Sequence, residues 1–189
     1  MADPDEILRY WLDEVGPQGW YKGGEDLDAE IRGRFETAWT RAMEGAYGLW
    51  LTYPAGTLAY IILTDQFPRN MFRDTARAFA SDKVALAAAK MAIARGWDLR
   101  IDPPARQFFY LPLMHSECLA DQERCVRLMK TRMPADSSSL LHARAHREVI
   151  RLFGRFPTRN AALSRESTPP EAAYVESGGY RTALERVQA

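Results

Sequence analysis

Apolar residues recur along most of this chain at intervals of three and four, the repeat of a helix with one buried face. Ile7, Leu8, Trp11, Leu12 and Val15 form the first such run. Asp3-Pro4 ahead of it supplies an N-cap and a proline at the first helical position, and Gly16-Pro17 marks its end. A loop from Gly19 to Gly24 holds Trp20 and Tyr21. A second helix starts near Asp26 or Asp28, with Ile31, Phe35, Trp39, Ala42 and Ala46 as its buried stripe. Thr52-Tyr53-Pro54 opens a third, running through Leu58, Ile61, Ile62 and Phe67 to Pro68. The apolar run Leu58 to Leu63 has the length of a strand, but nothing else in the chain reads as one, so it predicts a buried helix.

Ser81-Asp82 caps an alanine-rich fourth helix that ends at Gly96. Pro103-Pro104 opens a fifth containing Phe108, Phe109 and Leu111, which Pro112 kinks or shortens. A sixth spans Leu119 to Lys130 with Leu119, Val126 and Met129 inward, and a seventh spans Leu140 to Phe153 with Leu141, Ala145, Val149 and Leu152 inward. Thr168-Pro169-Pro170-Glu171 starts a further helix. The segment after Ser177-Gly178-Gly179 is expected to be loosely attached. Short loops between successive helices imply antiparallel neighbours, so the expected fold is all-α, a single domain over residues 1–189 built as a multi-helix antiparallel array.

Composition narrows this picture. With 47% hydrophobic residues a chain of this size can bury a core without metal or disulfide. Lys plus Arg and Asp plus Glu number 25 each, which argues against a nucleic-acid binder that works by neutralising phosphates. Cys118 and Cys125 lie seven apart, about 10 Å along a helix axis. A disulfide needs Cα atoms within roughly 7 Å, so both read as reduced thiols. The acidic start Met1-Ala2-Asp3-Pro4-Asp5 is unlike a secretory signal, and no apolar run is long enough to span a bilayer. A cytoplasmic location without membrane association is the expectation.

Four polar clusters could carry chemistry. Asp65, Gln66, Arg69, Asn70 and Arg73 crowd a proline-broken helix end. Arg69 and Arg73 have forks suited to carboxylate or phosphate, and the same residues would equally staple the corner internally. His115 and Glu117 follow the Pro112 kink. On a regular helix they would point about 200° apart, so they could serve as an acid/base pair only on irregular backbone. His142 and His146 share a helix face but lack the glutamate of the H-E-x-x-H zinc motif, and no metal or other cofactor is assigned to them. Arg155, Arg159 and Asn160, followed by Ser164-Arg165-Glu166-Ser167-Thr168, form a loop that could line an anion pocket or simply bond itself. Phe156-Pro157-Thr158-Arg159-Asn160 echoes Phe67-Pro68-Arg69-Asn70, which suggests structurally equivalent corners. No glycine-rich phosphate loop, nucleophile elbow or C-x-x-C is present. Trp11, Trp39 and Trp50 lie in helical core patterns, whereas Trp20, Tyr21 and Trp97 sit at loops and suit a groove.

The stretch Leu63 to Arg73 with Thr75 to Ala80, the run Leu111 to Glu117, and His146 with Arg155 to Asn160 and Arg165 to Thr168 resemble three motifs of an uncharacterised bacterial domain-of-unknown-function family. The resemblance spans nearly the whole chain and implies an all-helical fold similar to tetratricopeptide-repeat arrays, with no activity attached. Thr158 departs from the histidine that family members often carry there. Two functions lead, with a metal protein built on His142, His146 and a third ligand behind them. One is a binding module for a peptide or an anionic small molecule, contacted by Arg69, Asn70, Arg73, Arg155, Arg159 and Asn160. The other is a small hydrolase with His115 or His146 as base, Glu117 or Asp65 as its orienting carboxylate and Arg69 as substrate anchor. Oligomeric state is not legible in the sequence.

Overall fold

The computed structural model describes residues 2–188 and shows two compact units, Met1–Pro112 and Leu113–Ala189. All regular structure among the described residues is helical. In the first unit Asp3 caps α1 (Pro4–Leu8), its side chain accepting from the Asp5 amide. The chain does not stop at Gly16-Pro17. It widens into a π-helical stretch, Arg9–Val15, and continues as the single turn α2 (Gly16–Gly19). The wider turn brings Tyr10 as well as Trp11 into the core. Next come α3 (Glu25–Met43), buried along Ile31, Phe35, Ala38, Trp39 and Ala42, and α4 (Pro54–Ile61). Ala46 lies beyond α3 and is exposed.

Leu58 to Leu63 is helical and buried all round, as an apolar helix inside a core must be. Pro68, expected at the end of this helix, instead sits in the first turn of α5 (Phe67–Met71). The reason is the π-helical segment Ile62–Gln66 before it. A proline in an α-helix clashes with the carbonyl four residues back. The longer π-type turn re-aims those carbonyls, so the chain passes through without a break. An aromatic cluster then fills the unit. Phe67 lies 4.7 Å from Phe35 and 5.4 Å from Trp11 between ring centres, and Phe108 lies 4.8 Å from Trp20. Trp20, expected at a groove, is buried, its indole N–H donating to the Trp11 carbonyl.

α6 (Asp82–Ala94) ends at Gly96, which adopts the left-handed conformation with φ +68° that a helix terminus favours. Ser81 does not cap it with its side chain. Its hydroxyl donates to the Thr64 carbonyl and accepts from the Trp39 indole, bridging two helices inside the core. Past a 3-10 turn at Ala105–Phe109, Pro112 lies within the short α7 (Leu111–Met114).

The second unit contains α8 (Leu119–Arg132), α9 (Ser139–Phe153), α10 (Pro169–Glu176) and α11 (Tyr180–Gln188). α9 packs against both α8 and α11. Leu119 and Leu152, expected inward, face solvent, while Gln122, Cys125, Leu128 and Met129 form the inner stripe of α8. The helix start expected at Thr168-Pro169-Pro170-Glu171 is present, and Thr168 and Glu171 close it with a capping box. The segment after Ser177, expected to be loose, is α11, and Tyr180, Ala183, Leu184 and Val187 join the core cluster of Ala145, Val149, Ile150, Phe156 and Tyr174.

Candidate functional site

In the first unit the expected cluster forms, with its charges already matched. Asp65 is fully buried, accepts a hydrogen bond from the Gln66 side chain, and lies 3.5 Å from Arg69. Arg69 also donates to the Asp65 backbone carbonyl and ion-pairs with Asp82 at 3.0 Å. Arg73 grips both oxygens of Asp28, at 2.7 and 2.9 Å, and Asn70 donates to the same carboxylate at 2.8 Å. Burial would raise the Asp28 carboxyl, but the bonds from Arg73 and Asn70 prevail and hold it below its ordinary value. Nearby, Tyr21 keeps an exposed ring while its hydroxyl donates to Gln107 at 2.8 Å.

The second unit gathers the remaining candidates. Residues 115 to 118 between α7 and α8 are not helical, and this irregular strip carries His115 and Glu117. It is fixed from below by Gln122, a fully buried side chain whose amide donates to the carbonyls of Met114 at 2.6 Å and Ser116 at 2.7 Å. Asp121 accepts from the Ser116 hydroxyl, and that hydroxyl accepts from the Cys118 amide. Sequence reasoning missed Gln122, which reads as an ordinary surface glutamine. The signal was its spacing, since it shares the three-and-four repeat of Cys125 and Met129.

Glu117 is the hub between this strip and the loop after α9. Arg165 binds both of its oxygens, at 2.8 and 3.0 Å, and the Phe156 amide donates to one of them at 2.8 Å. Burial opposes ionisation, yet these bonds and the nearby Arg159 hold the carboxyl below its usual range. Arg155 makes a similar pair with Glu171, at 2.6 and 2.8 Å, and also donates to the Glu166 carbonyl. The bonds from Arg155 and from Thr168 hold Glu171 down to about 2. Asn160 donates to the Ser167 hydroxyl. The two Phe-Pro corners therefore use their Asn alike, as buried donors, but on different backbones: Arg69 and Asn70 lie in α5, whereas Pro157–Arg159 is a 3-10 turn.

The histidines converge. The rings of His115 and His146 are 6.2 Å apart, and Arg159 donates to the His115 carbonyl at 3.0 Å while its guanidinium lies 4.4 Å above the Phe156 ring. The His146 ring meets Phe156 edge-on at 5.6 Å and Tyr180 at 4.8 Å. Its Nδ1 lies 2.9 Å from the His142 carbonyl, and His142 Nδ1 lies 2.7 Å from the Tyr180 hydroxyl. Burial, reinforced by His115, Arg159 and His142 and only partly offset by that carbonyl bond, pushes the His146 imidazole down to about 3. Both histidines of the i, i+4 pair thus spend Nδ1 on protein partners. Among the described residues no group of three or more His, Cys, Asp or Glu is arranged to hold a metal ion.

No helix among the described residues is long and apolar enough to cross a membrane. The sequence profile of a family described as "Bacterial protein of unknown function" (DUF924) matches residues 7–179. A solved structure of a protein of unknown function from Agrobacterium tumefaciens is similar throughout, with 39% sequence identity, a TM-score of 0.87, and coverage of 93% of this chain and 97% of that one. No curated protein matches the chain. With the three motifs, the all-helical fold and the profile match in agreement, this chain belongs to the bacterial family of unknown function DUF924.

Proposed function

We propose that the protein is a binding module for a small anionic ligand, either a free acid or the acidic end of a peptide, held by His115, His146 and Arg159. The observation that carries this reading is the meeting of two imidazoles 6.2 Å apart beside an arginine that is tethered to the His115 carbonyl. Groups that gain positive charge crowd one place, and each makes protonation of His146 harder. A negative ligand relieves that repulsion, and an arginine fork suits its oxygens. Packing of α9 against α8 and α11 supports a rigid frame of the kind a tetratricopeptide-like array would use.

A small hydrolase is the second reading, favoured by the fixed orientation of His146, which a general base requires. It stands behind binding because both oxygens of Glu117 are held by Arg165 rather than presented to a histidine. Isothermal titration calorimetry with inorganic phosphate, sulfate, acetate and glycolate, on the wild type and on Arg159→Ala, tests the binding reading. Saturable binding of at least one anion is expected, weakened tenfold or more in an Arg159→Ala protein that keeps its circular dichroism. Absence of binding by every anion, or equal binding by both proteins, contradicts it.

A further inference from the structure

Tyr180, the first residue of α11, lies against both histidines of the α9 pair. Its hydroxyl is 2.7 Å from Nδ1 of His142, its ring stacks on the His142 ring at 6.1 Å, and it meets the His146 ring at 4.8 Å. Immediately before it stand Gly178 and Gly179, with φ of +111° and +55°, a backbone that glycine adopts freely. α11 has nine residues, too few to stay helical alone in water. It keeps its shape by packing Tyr180, Ala183, Leu184 and Val187 into the core cluster. A short helix joined through two glycines is the kind of unit that opens locally once its docking weakens.

The groups around the two rings decide how acid acts on that docking. His115 faces His146 at 6.2 Å from the strip between α7 and α8, Arg159 acts on it from the loop after α9, and the His142 ring acts from α9 itself. All three oppose a proton on His146, and the bond to the His142 carbonyl favours one only in part. From α11 comes Tyr180, while Arg186 of that helix acts on Tyr174. The carboxylates of the strip and of α8 are engaged elsewhere: Glu117 by Arg165, Asp121 by the Ser116 hydroxyl, Glu123 by Arg147 and Arg151. Burial resists protonation of both His142 and His146. Lifting Tyr180 away wets both rings, so the open form binds protons that the docked form refuses. We infer that α11 is an acid-released flap, docked on α9 at neutral pH and detached through Gly178-Gly179 when His142 and His146 take up protons. Docking weakens as pH falls from 6.5 toward 3, the interval between the ordinary value of His146 and its value in the docked form. For His146 alone, full recovery of the ordinary value on opening raises the opening equilibrium about 30-fold between pH 7.5 and pH 5.0. The inference does not depend on the anion-site reading.

Hydrogen exchange of the full chain at pH 7.5 and pH 5.0, corrected for the intrinsic pH dependence of exchange, tests it. Amides of residues 180 to 188 are expected to lose tenfold or more of their protection at pH 5.0 and to exchange there at least tenfold faster than those of α8. Equal protection of α11 at both pH values, or none at either, overturns the proposal, and so does opening of α8 and α11 together. In His142→Gln combined with His146→Phe the loss is expected to fall below threefold, and a persistent tenfold loss overturns the assignment to these histidines. Should that variant not fold, proton NMR of the wild type decides. The ring resonances of His142 and His146 are expected to titrate over the pH range in which α11 opens, and rings that stay neutral while α11 opens contradict the proposal.

Discussion

At the scale of single residues, His146 resists protonation in the folded protein, and the effect on stability has a definite sign. Its imidazole titrates near 3, against an ordinary value of 6.5. Between those values the unfolded chain binds a proton that the folded chain does not, so stability falls as pH drops from about 6.5 toward 3. From pH 7 to pH 5 the loss attributable to this one group approaches about 2 kcal/mol. Urea unfolding at both pH values should show a smaller loss in His146→Phe than in the wild type, and equal losses would rule the effect out. Ser81 offers a second residue-scale prediction. Its hydroxyl serves both the Trp39 indole and the Thr64 carbonyl inside the core. Ser81→Ala strands both and should cost about 1–3 kcal/mol in denaturant unfolding. Neither role was legible in the sequence. Ser81 reads there as a helix cap, because serine before Asp82 is a local signal while its partners lie 17 and 42 residues away.

At the scale of elements, signals confined to a few neighbouring residues were legible. Asp3-Pro4, Gly96 and Thr168-Pro169 all mark helix ends where the sequence put them, and in the structure Thr168 and Glu171 form a capping box. Thr168→Ala should therefore destabilise α10 by about 1 kcal/mol, seen as a lower urea midpoint with an unchanged slope. Proline misled at Pro68 because the rule assumes a regular α-helix upstream, and Ile62–Gln66 is π-helical. The inner faces of α8 and α9 were misassigned at Leu119 and Leu152, since each sits at a helix end where the stripe has already turned toward solvent. In the candidate site, His115, Glu117, His146 and Arg159 were named from the sequence. Their meeting was not, because it depends on the irregular strip at 115 to 118 and on Gln122 beneath it.

For the molecule as a whole, α11 is part of the second unit's core, because it packs on α9 and supplies the Tyr180 hydroxyl to His142. Removing residues 177 to 188 should expose Ala145 and Val149 and strip α9 of amide protection in hydrogen exchange. Unchanged protection would show that the core closes without α11. Ligand binding should act in the opposite direction, and an anion at 100 times its dissociation constant should add about 2.7 kcal/mol of stability. The most direct test of the account is an NMR titration of the histidine side chains with inorganic phosphate, on the wild type and on Arg159→Ala. The account predicts saturable shifts of the His115 and His146 resonances in the wild type that vanish or weaken at least tenfold in the variant. Phosphate that leaves both rings unmoved, or moves them equally in the two proteins, would contradict an anion site at His115, His146 and Arg159.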